Sequence, residues 1–115
     1  DPHLRRDELS MVRRAPDRRK EQFRRQVHGS ATDDQLRALV QGAEVAIDAR
    51  GTFCPEPVIR IQHAARQMQV GQAAMLLADD AGVEVDVPAW CMSTGNEYLG
   101  LLREPAFLRV FIRRG

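Results

Sequence analysis

Two prolines, Pro55 and Pro57, stand on either side of Glu56 near the middle of a 115-residue chain. Proline lacks an amide hydrogen and holds φ near the helical value, so it suits the first turn of a helix and breaks the interior. The pair therefore marks a helix start. Downstream, Val58, Ile61, Ala65 and Met68 recur along one face, which predicts a helix over residues 54–70 closed by Gly71. Upstream, residues 44–48 alternate as a half-buried strand does, and residues 50–52 turn the chain. Beyond the helix, residues 73–78 form a short continuous apolar run, the pattern of a central strand.

Residues 79–95 read two ways. Val83, Val85 and Val87 alternate like a strand, yet Val83, Val87, Trp90 and Cys91 also share one helical face. Pro88 argues against a central strand, so a helix is favoured, although periodicity alone leaves both open. Residues 97–103 and 106–113 then read as two strands joined at Glu104-Pro105, with Phe107, Val110 and Ile112 assigned to one face and Phe111 to the other. The order strand, helix, strand, helix, strand, strand predicts an α/β two-layer sandwich, with two helices on one face of a four-stranded mixed sheet.

Ahead of this domain, residues 32–42 predict a short amphipathic helix. Thr32 and Gln35 have capping-box spacing, Asp33 and Asp34 suit the positive helix end, Gly42 can end the helix, and Leu36, Leu39 and Val40 form its stripe. It is expected to pack on the domain or on a partner. Residues 1–30 carry four arginine pairs interleaved with acids; a polar helix from an Asp17 cap to Gly29 would have only Phe23 and Val27 as its apolar face. The division expected is a basic N-terminal extension, partly helical or disordered, over residues 1–42 and an α/β domain over residues 43–115. Residues 1–42 hold a charge of +3 against −2 for the remainder. That contrast is too mild to call for nucleic acid as a partner, and a basic arm for RNA or an acidic partner is the alternative.

Only 5% of the residues are aromatic, so the core must be largely aliphatic. Two cysteines are too few for a disulfide scaffold, and no apolar run approaches the roughly 20 residues of a membrane span. No membrane attachment and a reducing, cytoplasmic location are therefore expected. The chain opens on Asp1 rather than Met, which is compatible with a piece of a longer protein.

The prolines place Cys54 at, or just before, the N-cap of the central helix. Free amides and the dipole there favour negative charge, so a thiolate or persulfide anion is expected to be stabilised, with Pro55, Glu56 and Pro57 supporting the helix tip. Burial is the alternative for any free cysteine. A thiol protease would need a base, and His63 lies two and a half turns along the same helix, while His3 and His28 lie in the extension. A zinc site would need a second cysteine at close spacing. No cofactor or metal is expected. Cys91 is assigned to the core rather than to a resolving thiol, and Trp90 to the core rather than to base stacking. Asp79-Asp80 is read as a solvated strand end that caps the next helix. Arg113 and Arg114 are read as either a basic rim for an acidic partner or an anionic persulfide, or a solubilising chain end.

From Asp48-Ala49-Arg50-Gly51 through Cys54-Pro55-Glu56-Pro57, Gly71, Ala78-Asp79-Asp80, Val87-Pro88-Ala89-Trp90-Cys91 and Gly95-Asn96-Glu97 to Phe111-Ile112-Arg113-Arg114-Gly115, the chain resembles the TusA/SirA family of small sulfur carriers. Asn96 stands where that family more usually has His. The resemblance implies the two-layer fold, and a helix for residues 79–95. It also implies that Cys54 carries persulfide sulfur, taken from a cysteine desulfurase or rhodanese-type donor. The acceptor would be another sulfur-relay protein, serving tRNA thiolation, molybdoenzyme maturation or sulfur oxidation. Such a protein is a sulfurtransferase-like carrier rather than a self-sufficient enzyme, and Arg50, Arg113 and Arg114 are candidates to meet its partners. A regulatory or nucleic-acid-binding module using the arginine-rich arm is the competing function.

Overall fold

The computed structural model describes residues 29–115. The arginine pairs, His3, His28 and most of the polar helix considered for the extension lie outside the described residues. The order is α1 (Asp33–Gly42), β1 (Val45–Asp48), α2 (Glu56–Gln67), β2 (Ala73–Ala78), α3 (Val83–Thr94), β3 (Glu97–Arg103) and β4 (Leu108–Arg113). The four strands form one mixed sheet in the order β1-β2-β4-β3, with β1 parallel to β2 and the other pairs antiparallel. The predicted sequence of elements is the observed one, and residues 79–95 supply the second helix. Pro88 sits inside α3 without preventing it. Gly95 ends α3 at φ 78°, a left-handed position that a side chain would strain.

The main core lies between one sheet face and the helices α2 and α3. Leu76, Val110, Ile112 and Tyr98 from the sheet meet Ile61, Val83, Val87 and Cys91 from the helices. Alternation along a strand puts the neighbours of these residues on the other face, and those residues form a second cluster. Met75, Leu99 and Phe111 pack there with Leu36, flanked by Leu39 and Val40 of α1. The predicted stripe of α1 is thus buried on the second face of the sheet, which adds a third layer to the expected two. Phe107 departs from the face assigned to it. It precedes β4 with the same parity as Phe111, and instead of joining the main core it lies beneath the guanidinium groups of Arg50 and Arg109, 5.2 and 5.1 Å from the ring centre.

Helix boundaries moved by local chemistry. α2 begins at Glu56 rather than Cys54 and ends at Gln67, three residues before Val70, because the Met68 amide folds back to the Ala65 carbonyl. α1 keeps the reciprocal Thr32–Gln35 capping box, and its C-cap is Ala43, one residue past the expected Gly42. Its docking depends on one glycine. β3 bulges between Tyr98 and Gly100, and a Cβ at Gly100 would stand 2.8 Å from Leu36 Cδ1. The segment before α1 follows the outer edge of β3, where the Ser30 and Ala31 amides donate to the Tyr98 and Leu99 carbonyls. That covering protects an edge strand from pairing with another chain.

Leu36 is 2% exposed and fits against bare backbone, so Leu36→Ala leaves a cavity that Gly100 cannot fill. The substitution is expected to lower unfolding free energy by roughly 2–4 kcal/mol in urea denaturation. A loss well below 1 kcal/mol would show that α1 contributes little to the fold.

Candidate functional site: the loop that carries Cys54

A parallel strand pair ends both strands at the same edge of the sheet, so the β1–α2 loop emerges beside the end of β2. The loop first continues the ladder, with the Ala49 amide on the Leu77 carbonyl, and then tightens as the Thr52 hydroxyl donates to the Ala49 carbonyl at 2.6 Å. Two carboxylates following β2 hold it. The Gly51 amide donates to both oxygens of Asp79, at 2.9 and 3.1 Å, and the Cys54 amide donates to Asp80 Oδ2 at 2.8 Å. Asp80 Oδ1 also accepts the Gly82 amide at 3.0 Å. Together these amides keep the Asp80 carboxyl below its ordinary 3.8, Gly82 being the larger cause.

Helix α2 secures the other side. Arg60 donates to the Asp48 carbonyl at 2.8 Å and pairs with Glu56 one turn back at 3.1 Å. Arg50 folds onto Asp48 at 2.9 Å, and that hydrogen bond pushes the Asp48 carboxyl down to about 2. Cys54 lies one residue ahead of the Pro55 N-cap, exposed to solvent, with Phe53 79% exposed beside it. The Cys54–Pro55 bond is cis.

The expected anion stabilisation does not occur at the resting thiol. Pro55 and Pro57 have no amide hydrogen, and the Glu56 amide already donates to the Phe53 carbonyl, so the helix tip offers few free donors. What faces the sulfur instead is a carboxylate. Cys54 Sγ donates to Asp86 Oδ2 of α3 at 3.1 Å, and this hydrogen bond, with desolvation and the charges of Asp86 and Asp80, raises the thiol above its ordinary value. Cys91 is fully buried, and burial pushes its thiol up to about 12.

The structure brings Arg50 to the same edge of the sheet as Cys54 but not Arg113 or Arg114. Arg113 is paired with Ala73, at the opposite end of β2 from the carboxylates that hold the loop. The length of β2, roughly 17 Å at ~3.3 Å per residue, separates those ends. Arg113 faces Glu97, and Arg114 donates to Asn96 Oδ1, so a basic rim at the sulfur is replaced by a rim of acids. Asp86 and the loop-holding role of Asp79 and Asp80 went unread in the sequence; the only local signal was the Glu56–Arg60 spacing, one helical turn apart, for the brace on α2.

The family model described as "Sulfurtransferase TusA" matches residues 45–114, more than half of the chain. The chain belongs to the TusA family. It is 37% identical over 73 residues to the "Putative sulfur carrier protein YrkF" of Bacillus subtilis, a match covering 64% of this chain and 40% of that protein. A "Putative sulfur carrier protein" of Archaeoglobus fulgidus is 29% identical over 70 residues, covering 61% of this chain and 96% of that protein. The chain thus spans well under half the length of the first relative and nearly all of the second. The crystal structure of a SirA-like protein from Desulfitobacterium hafniense is similar at 30% identity and a TM-score of 0.46, covering 62% of this chain and 97% of that one. Membership in the TusA family supports a sulfur-carrier role.

The Asp80 clamp gives the loop a pH signature. A carboxyl with a depressed value contributes its tie above the ordinary 3.8, and the tie is lost as pH falls through the lower folded value. In amide NMR titrations, the Cys54 and Gly82 signals are expected to move together with a midpoint below 3.8, and Asp80→Asn to abolish the shared transition. A midpoint at or above 3.8 would mean that the clamp is not formed in solution.

Proposed function

We propose that the protein carries sulfane sulfur as a persulfide on Cys54, receiving it from a cysteine desulfurase or rhodanese-type donor and passing it to a further sulfur-relay protein. The observation that carries this is the contrast between two thiols in a TusA-family chain. Cys54 is exposed on a braced loop at a helix start, whereas Cys91 is sealed in the core. Only a sulfur reachable by another protein's cysteine can take part in exchange.

In the loading step Cys54 gives up its proton and its sulfur bonds to the outer sulfur of the donor's persulfide. The donor's S–S bond breaks, its cysteine leaves as a thiolate that takes up a proton, and Cys54 holds the S–S–H group. Unloading runs the same exchange toward an acceptor thiol, with no net oxidation in either half. The loop's role is placement: hydrogen bonds from Gly51 and Cys54 fix the backbone, so the sulfur meets the incoming group without first being ordered. Phe53, exposed next to the sulfur, offers apolar contact to a docking protein. A reducing compartment, the cytoplasm, suits chemistry that an oxidant would end by capping the thiol.

Incubation with a cysteine desulfurase and free cysteine is expected to add one sulfur atom to the intact mass. The adduct should vanish in Cys54→Ser and survive in Cys91→Ser. An unmodified wild type, or an adduct that persists in Cys54→Ser, would contradict the proposal.

A further inference from the structure

The Asp86–Cys54 contact is not explained by holding the loop. The backbone of Cys54 is already anchored by Asp80, while Asp86 reaches across from α3 to touch the reacting atom alone. Both carboxylates close on the same stretch of bare backbone. Asp80 Oδ1 and Asp86 Oδ2 each lie 3.4 Å from the position a Cβ on Gly82 would take. The charges that act on the thiol are Asp86 from α3 and Asp80 from the segment before it; the helix α2 that follows Cys54 carries Glu56 in its first turn, paired with Arg60. A carboxylate that accepts a hydrogen bond from a thiol stabilises the protonated form and, by its charge, opposes the thiolate.

We infer that Asp86 is a restraint on the unloaded carrier: its carboxylate keeps the hydrogen on the Cys54 sulfur and makes that sulfur a poor nucleophile toward stray electrophiles. The inference rests on the carrier role proposed above, for which an exposed cysteine must survive between loadings. A freely ionising thiol at this position would be alkylated or oxidised by whatever it met, since the thiolate is the reactive species. Loading then requires the docked donor to relieve the contact before Cys54 attacks, which ties reactivity to the presence of the right partner.

The test is the pH profile of alkylation by iodoacetamide on the full chain, followed by intact mass and restricted to Cys54 by working in Cys91→Ser. With Asp86 intact, the midpoint is expected above the ordinary 9.0 of a cysteine and above that of the same chain in denaturant. Asp86→Asn should move the midpoint down, because the charge that opposes the thiolate is removed. Each tenfold gain in thiolate costs about threefold in intrinsic nucleophilicity, so alkylation at pH 7 is expected to quicken by about threefold for every tenfold gain in thiolate. Asp86→Glu, which keeps the charge, should return most of the profile toward that of the parent. A profile unchanged in Asp86→Asn, in a protein with the parental urea midpoint, overturns the inference. Should Asp86→Asn not fold, a parental midpoint at or below that in denaturant overturns it equally. Failure of the wild type to take sulfur from a desulfurase, with the alkylation shift present, would sink the carrier role and leave the restraint standing.

Discussion

Two adjacent carboxylates beyond the end of β2 hold the segment on which the chemistry depends. Without Asp79 on the Gly51 amide and Asp80 on the Cys54 amide, the tip of the β1–α2 loop would lose both carboxylates that hold its backbone to the segment after β2, leaving the Ala49–Thr52 turn, the Arg60 brace and the Cys54 thiol's contact with Asp86. The parallel pairing of β1 with β2 makes this possible, because it ends both strands side by side and brings residues almost thirty positions apart within hydrogen-bond reach. Fold and site are therefore linked at one edge of the sheet. The core beneath, built from Leu76, Val110 and Ile61, keeps that edge in register with α2 and α3.

The same carboxylates create an electrostatic tension. They fix the cysteine where a partner can reach it, and Asp80, together with Asp86, sets negative charge beside its sulfur. A helix N-terminus ordinarily offsets such charge through its free amides. Here two prolines remove amide hydrogens, and the Phe53 carbonyl takes the one from Glu56. The Pro-Glu-Pro start thus stiffens the tip and leaves it few amides to offer an anion. A resting thiol held protonated, on a backbone already placed for exchange, is the state these features favour.

Much of the fold was legible because its signals are local. The apolar run Ala73–Ala78, the strand Glu97–Arg103 and the capping box at Thr32 sit where their spacing predicts. The double proline located the start of α2 and the position of Cys54 one residue before its cap. What could not be read were relations between distant residues. Nothing around Asp86 in the sequence tells that its side chain meets a thiol 32 positions away, and Asp79-Asp80 looked like an ordinary strand end. Arg113 and Arg114 were placed by the chain's own direction in the sheet: β4 runs antiparallel to β2, which carries them to the end opposite Cys54. Phe107 lies off the face that Val110 and Ile112 share, because it stands an odd number of positions from Val110 and a slip of one residue exchanges the two faces of a strand.

A crystal structure of the protein after loading with sulfur would test the central claim most directly, namely that the carboxylates beyond β2 present one cysteine for sulfur exchange. The account predicts one additional sulfur on Cys54 Sγ, Cys91 unmodified, and the Gly51–Asp79 and Cys54–Asp80 hydrogen bonds unchanged. Added sulfur on Cys91, or a loop that must abandon both carboxylates to hold the persulfide, would contradict it.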